Sequence, residues 1–353
     1  PPRSTLFPYT TLFRSPGVFN PGSHNAITDV PGVRVGHVTL RRDNICTGVT
    51  AILGCDDPWM HNLPAATFVL NGNGEMTGLA YLNDMGLLES PILLTNTLNV
   101  PRVADATISW ILGRHPQVGL DEDVPIPVVA ECDDSTLNDI RGRHVSSEHV
   151  LTAIEQSHSG PVDEGDVGAG TGMIAYQLKG GIGTASRRLP SGHHLGALVL
   201  TNMGLREELM VLGIPVGRAL EDPLIERKTQ GSLIIVLACD APLSAVQLSR
   251  LARRGALGLA RTGAISHHGS GDIVLAFSTA NAIHRGQEPG PALRIADRHL
   301  DPLYQGAVES TEEAILNSIL RAHTTVGRDG NTATALSIDR LIDLLAAHRA
   351  KSP

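Results

Sequence analysis

The chain is poor in aromatic residues, in cysteine and in long apolar runs, and each shortage removes a class of explanation. Phe, Tyr and Trp make up 3% of 353 residues against 37 glycines, so a core must come from close backbone packing and sharp turns rather than from stacked rings. The four cysteines, Cys46, Cys55, Cys132 and Cys239, are scattered with no Cys-x-x-Cys spacing. That excludes a disulfide framework or a structural zinc site and fits a reducing compartment. No apolar run reaches the roughly 18–20 residues that span a bilayer, so no membrane partner is expected. With a formal net charge of −8 and no Lys/Arg stripe, the chain lacks the footprint of a nucleic-acid binder.

Hydrophobic residues account for 42% and charged residues for 18%, a globular balance. The length allows one large domain or two intimate ones. Residues 4–15 read STLFPYTTLFRS, which back-translates into a sequencing-adapter oligonucleotide. Residues 1–15 are therefore set aside as non-native, and 16–353 are read as a single domain. The expected location is the cytoplasm, or the periplasm if a leader once stood where residues 1–15 now stand.

Along the chain, a Pro-Gly turn leads into an alternating strand within 27–37, and 47–53 reads as a second strand. An apolar stretch at 67–70 runs into Asn71-Gly72-Asn73-Gly74, two Asn-Gly steps that signal a tight turn or functional loop. Helical spacing follows at 77–88, a buried strand at 91–97, a helix at 103–112, and a short strand at 128–131 ending on Glu131. Helices are expected at 146–157, at 242–254 with Asp240 as its cap, and, with amphipathic character, at 311–322 and 337–348. Residues 165–186 hold seven glycines, and 195–202 and 272–279 read as strands. Strands interleaved with fewer helices, without internal repeat, define a layered α/β protein.

Residues 230–240, QGSLIIVLACD, organise the rest. Gly231-Ser232 closes a charged, proline-containing link and opens an apolar, β-branched run, which sets a hydroxyl at the lip of a buried strand. Competing chemistries fail on spacing. Gly168-Ala169-Gly170-Thr171-Gly172 lacks the GxGxxG period, and no GxxxxGK[ST] motif exists. His144 and His149 are five residues apart, off a common helix face, and His267-His268 lacks ligand-spaced partners, so no metal is expected. Gly269-Ser270-Gly271 is a turn and not a GxSxG elbow. Apolar or acidic surroundings disfavour a thiolate at any cysteine. What remains is an N-terminal nucleophile: cutting the Gly231–Ser232 bond would give Ser232 a free α-amine. Such an amine titrates near ~7.7–8.0 and can act as base for its own hydroxyl.

These residues and their neighbours resemble the P1 (S58) peptidases, the D-esterase/L-aminopeptidase and β-peptidyl aminopeptidase family of N-terminal-nucleophile-type hydrolases. The likeness runs from about residue 25 to about 340. It rests on nine motifs in order: ITDVPGVRVGH, FVLNGNGEMTGL, PILLTNT, AECDDSTLND, GAGTGM, KGGIGTASR, TNMGLR, GSLIIVLACDAPL and SGDIVLAFST.

The resemblance implies an αββα sandwich, two sheets face to face with helices outside, and no metal or cofactor. It further implies a precursor cut between Gly231 and Ser232 into large (16–231) and small (232–353) chains, assembled as a homotetramer of processed pairs. Ser232 matches the nucleophile, and Gly231 supplies the carbonyl cut during maturation. Ser270 and Asp272 match a Ser-x-acid pair that binds the nucleophile and its new amine, although some members carry Glu where this chain has the shorter Asp272. Asn202 matches an oxyanion-hole asparagine. Glu131 matches the carboxylate that pairs with the substrate ammonium, and relatives often have Tyr where Asp133 stands. The implied function is a self-processing serine aminopeptidase acting on short peptides, amides or esters. An acyltransferase of the ornithine-acetyltransferase type and a non-catalytic scaffold on the same fold are the alternatives. Ser232 disfavours the former, whose nucleophile is typically threonine.

Overall fold

In the computed structural model, residues 17–351 are described apart from 222, 226–230 and 289–291. The set-aside segment 1–15 and most of the link before Gly231 thus lie outside the described residues. The chain lays down β1 (Arg34–Arg42), β2 (Ile45–Leu53), β3 (His61–Gly72), helix α1 (Leu79–Met85), the short β4 (Leu87–Leu88) and β5 (Ile92–Asn96). Helix α2 (Val100–Arg114), β6 (Val128–Cys132) and helix α3 (Ser147–Glu155) follow. A hairpin of two-residue strands, β7 (Ile174–Ala175) and β8 (Leu178–Lys179), precedes β9 (Ile182–Arg188), β10 (His194–Asn202) and β11 (Ser232–Cys239). Helix α4 (Ala245–Arg261), β12 (Gly271–Ser278), β13 (Ile283–His284), α5 (Asp301–Leu320) and α6 (Ile338–Lys351) come last.

One sheet has the order β1-β2-β5-β6; the other runs β13-β3-β12-β11-β10-β9, with β4 beside β3. Side-chain alternation sorts the apolar residues into layers. On β11, Ile234, Val236 and Ala238 join a core shared with Ile52, Ile92, Leu94, Val128 and Ala130 of the opposite sheet. Leu233, Ile235, Leu237 and Cys239 face the other way, into a core shared with Leu248 and Leu251 of α4 and Ile315 of α5. Val49, Ala51, Leu93 and Val129 turn to a third core, built with Val103 and Ala106 of α2 and Val150 and Ala153 of α3. Helix pair, sheet, sheet, helix pair: this is the expected αββα sandwich.

Several boundaries differ from expectation. β3 begins at His61 because Leu63 and Ala65 are already buried between the sheets. The helix expected at 77–88 is bounded by Gly78 and Gly86, both left-handed, and yields to β4. Asp240 does not cap α4: its Oδ1 accepts the His194 N–H at 2.8 Å, and Ser244, whose Oγ accepts from Gln247 N, caps the helix instead. Helix α5 starts ten residues before the expected 311 and is not amphipathic. It lies against β9, β10 and α4, so even its Glu309 and Glu312 are buried. These are neutralised by Arg187 (2.9 Å) and Arg261 (2.7 Å).

Candidate active site

Ser232 opens β11, and the alternation that sends Ile234 and Val236 between the sheets sends its side chain the same way. It lines a cavity of about 1000 Å3 with the 71–75 loop, Thr97, Glu131, Asp133, His268 and Gly269. The two Asn-Gly steps shape this rim. Asn71 Nδ2 donates to the His267 carbonyl (2.7 Å), Asn73 Nδ2 to the Gly269 carbonyl (2.8 Å), and Asn73 N–H to the Ser270 carbonyl (3.2 Å). A Cβ on Gly271 would stand 2.7 Å from the Gly74 Cα, so the loop and the Ser270 turn close on one another only as glycines.

Neighbouring strands bring the other groups into register. Antiparallel β10 sets Asn202 opposite Ser232; parallel β12 sets Gly271 opposite Ser232 and Asp272 opposite Leu233. Ser270 Oγ donates to Asp272 Oδ1 at 2.7 Å. Asp272 Oδ2 is sealed from solvent and accepts no hydrogen bond of ordinary geometry from the described residues, although Ser266 and the Leu233 N–H lie close enough to act on the carboxylate. Burial pushes the Asp272 carboxyl above its ordinary range, opposed by hydrogen bonding from Ser270, Ser266 and the Leu233 main chain. Ser270, Asp272 and Gly231, with Ser266 and His267, line a second, smaller space of about 20 Å3, room for about one water-sized group. The Gly231–Ser232 peptide therefore lies between two compartments: a wide cavity reached by the hydroxyl and a small acidic chamber behind it.

The Asn202 amide is held at both ends. Its Oδ1 accepts the Ile174 N–H at 3.0 Å, and its Nδ2 donates to the Asp133 carbonyl at 2.8 Å. Asp133 thus meets the oxyanion candidate through its main chain, while its Oδ1 accepts from Ser135 N–H at 2.8 Å. Glu131 is 3% exposed. Its Oε1 accepts the Glu75 N–H at 2.9 Å and its Oε2 the Thr97 hydroxyl. Burial raises its pKa, with these two hydrogen bonds opposing and the charges of Asp133 and Glu75 adding to the rise. Glu75, Glu131 and Asp133 give the cavity three carboxylates, a wall that favours a cationic ligand group.

All seven residues singled out from sequence thus meet around one peptide bond. Sequence reasoning missed Thr97, although PILLTNT was among the motifs, and it missed the partner of His267. That imidazole Nε2 lies 2.8 Å from Glu208 Oε1, a residue 59 positions earlier that no local spacing connects to it. Burial raises the thiols of Cys46, Cys55 (to about 11) and Cys239 (to about 12), so none of these three is poised as a thiolate. Among the described residues no group of three or more His, Cys, Asp or Glu could hold a metal ion. No helix among them is long and apolar enough to cross a membrane.

The four-layer fold with a strand-initial serine is that of the N-terminal-nucleophile hydrolases. The structure of the L-aminopeptidase D-Ala-esterase/amidase from Ochrobactrum anthropi, described as a variant of the Ntn hydrolase fold, matches with a TM-score of 0.88 and 38% identity over 95% of this chain and 97% of that one. A Burkholderia sp. β-aminopeptidase matches with a TM-score of 0.88 and 42% identity, covering 94% and 96%. The β-peptidyl aminopeptidase BapA of Sphingosinicella xenopeptidilytica is 37% identical over 93% of this chain and 88% of its own length. Residues 25–333 match Peptidase family S58. The chain belongs to that family, and it is a hydrolase of the aminopeptidase type.

Proposed function

We propose that the chain cuts itself between Gly231 and Ser232 and then removes N-terminal residues from short peptides, amides or esters through Ser232. The observation that carries this reading is the position of the Gly231–Ser232 bond, with Ser232 lining the open cavity and Gly231, Ser270 and Asp272 lining the small chamber beside it. In maturation the Ser232 hydroxyl attacks the Gly231 carbonyl. The C–N bond breaks as the C–O bond forms, the amine takes up the hydroxyl proton, and water hydrolyses the resulting ester. The new α-amino group then has the Asp272 carboxylate as an acceptor for one of its N–H groups.

In turnover the neutral α-amine takes the Ser232 proton as the oxygen attacks the substrate carbonyl. Asn202 Nδ2 donates to the oxyanion, an interaction whose loss typically costs about 10²–10³ in rate. Glu131 pairs with the free amine of the substrate, which restricts attack to the first residue. Water then releases the acyl group. The processed pairs are proposed to assemble as a homotetramer with no metal or cofactor.

Denaturing electrophoresis tests the core of the proposal. Scaling the 37.3 kDa chain by residue number gives fragments of roughly 24 and 13 kDa from the wild type, and Ser232→Ala should run as one uncut band. An intact wild-type chain that still hydrolyses aminoacyl p-nitroanilides would show that the N-terminal-amine mechanism is wrong.

A further inference from the structure

Lys179 is buried, with none of its surface exposed, yet its ammonium donates to main-chain oxygens. These are the carbonyls of Gly170 (3.0 Å), Met173 (2.9 Å) and Gly180 (2.6 Å). Burying a charge among neutral partners is expensive, and here burial lowers the Lys179 pKa to about 8. An ammonium is nevertheless suited to the position, because it offers three donors and no acceptor to three carbonyls that converge on one point.

The Met173 and Gly180 carbonyls belong to the two arms of a hairpin whose tip, Tyr176 and Gln177, has φ of 52° and 57°, and the Gly170 carbonyl ends the short 3-10 turn just before it. Both arms touch the end of β10. On one arm, Ile174, next to Met173, donates its N–H to Asn202 Oδ1. On the other, Gly181, next to Gly180, donates to Thr201 Oγ1 (3.1 Å), and its carbonyl accepts the Thr201 N–H (2.9 Å). The second arm has no freedom to move aside: a Cβ on Gly181 would lie 1.9 Å from the Gly165 carbonyl oxygen.

The polarity of the Asn202 amide depends on this arrangement. The two ends of an asparagine amide are almost the same shape, and only hydrogen-bond partners distinguish them. A main-chain N–H can bond only the oxygen, and a main-chain carbonyl only the nitrogen. Ile174 and Asp133 supply one of each. An amide turned by 180° would present an acceptor to a developing oxyanion instead of a donor.

We propose that Lys179 is a positioning residue for the reaction: by drawing the carbonyls of residues 170, 173 and 180 together it holds the Ile174 N–H against Asn202 Oδ1, and so keeps the Asn202 amide nitrogen toward the reacting carbonyl. The inference rests on the oxyanion role assigned to Asn202 above.

The test is a double-mutant cycle in the full chain with Lys179→Met, Asn202→Ala and the double variant. Processing rate is read on denaturing gels, kcat and KM on an aminoacyl p-nitroanilide, and folding from the thermal midpoint. Lys179→Met should lower kcat about 10- to 100-fold with KM within about three-fold, as for loss of a group acting only in the transition state. It should add almost nothing in the Asn202→Ala background, because coupled residues are non-additive. Lys179→Arg, which keeps charge and donors, should recover part of the rate. If processing stops in Lys179→Met, the same cycle is read on the processing rate. A folded Lys179→Met within two-fold of wild type, or an effect that multiplies with that of Asn202→Ala, overturns the proposal. An Asn202→Ala variant with wild-type kcat instead refutes the role given to Asn202. If neither Lys179→Met nor Lys179→Arg yields folded protein, Lys179 is a residue of the fold alone and the proposal is rejected.

Discussion

Glu131→Gln separates substrate selection from folding. The replacement keeps the shape, the acceptor for the Glu75 N–H, and a hydrogen bond with Thr97, whose hydroxyl can accept as well as donate. What it removes is the charge that would meet the substrate ammonium. A hydrogen bond to a charged group contributes about 1.5–3 kcal/mol against about 0.5–1.5 for a neutral one, which sets a loss of at least roughly 1 kcal/mol. The Coulomb attraction of a pair 4 Å apart near a protein surface, about 4 kcal/mol, sets the upper end. Because 1.36 kcal/mol is a factor of ten, kcat/KM for free-amine substrates should fall by about 5-fold at the lower end and up to about 900-fold at the upper. N-acetylated analogues, which carry no ammonium, should change little. The stability sign runs the other way. Burial raises the Glu131 pKa, so between the ordinary carboxyl value and the raised one the folded state binds the extra proton. Its stability falls as pH rises through that interval. The glutamine should therefore match or exceed the wild-type thermal midpoint at pH 7. Rates on matched free and acetylated p-nitroanilides, with melts of both proteins, decide the matter. Equal losses on both substrates would refute the ammonium role.

Two further outcomes are expected. Asp133→Asn should lower the preference for lysyl over alanyl p-nitroanilides by about three- to ten-fold, a second carboxylate in the cavity being worth on the order of 1 kcal/mol to a second cation; an unchanged ratio would remove Asp133 from substrate selection. Asp166 is buried, which raises its pKa, but hydrogen bonds from Arg41 and His323 prevail and lower it to about 2. Its contribution is therefore complete above the ordinary value near 3.8 and is lost as pH falls through about 2. Asp166→Asn should cost about 1–3 kcal/mol at pH 7, and the cost should shrink as pH falls from 3.8 through about 2. Urea midpoints of the two proteins across that range test it, and a gap that stays constant would contradict the assignment.

What could be read from sequence follows from which signals are local. The strand from Ser232 was legible because eight consecutive residues are buried on both faces, which leaves an uninterrupted apolar run bounded by Gly231 and Asp240. The first half of α5 was not, because Glu309 looks like a solvated residue until Arg187 is brought to it from β9. The cap of α4 was misplaced for a similar reason: Asp240 is a good capping residue whose carboxylate is claimed by the His194 N–H across the sheet. Site residues were recognised through motifs, but their relations were not. The Thr97 bond to Glu131 crosses 34 residues, and the Asn202 bond to the Asp133 carbonyl crosses 69.

The order of the larger sheet has a consequence for molecularity. β11 and β12, both downstream of the Gly231–Ser232 bond, are flanked by β10 on one side and β3 on the other, both upstream of it. A cut at that bond leaves two polypeptides interdigitated as neighbouring strands of one sheet, sharing the core between the sheets. Neither half can leave without stripping an edge from the other's strands. Covalent scission there would turn a unimolecular fold into an obligate heterodimer, joined by main-chain hydrogen bonds where a peptide bond had been.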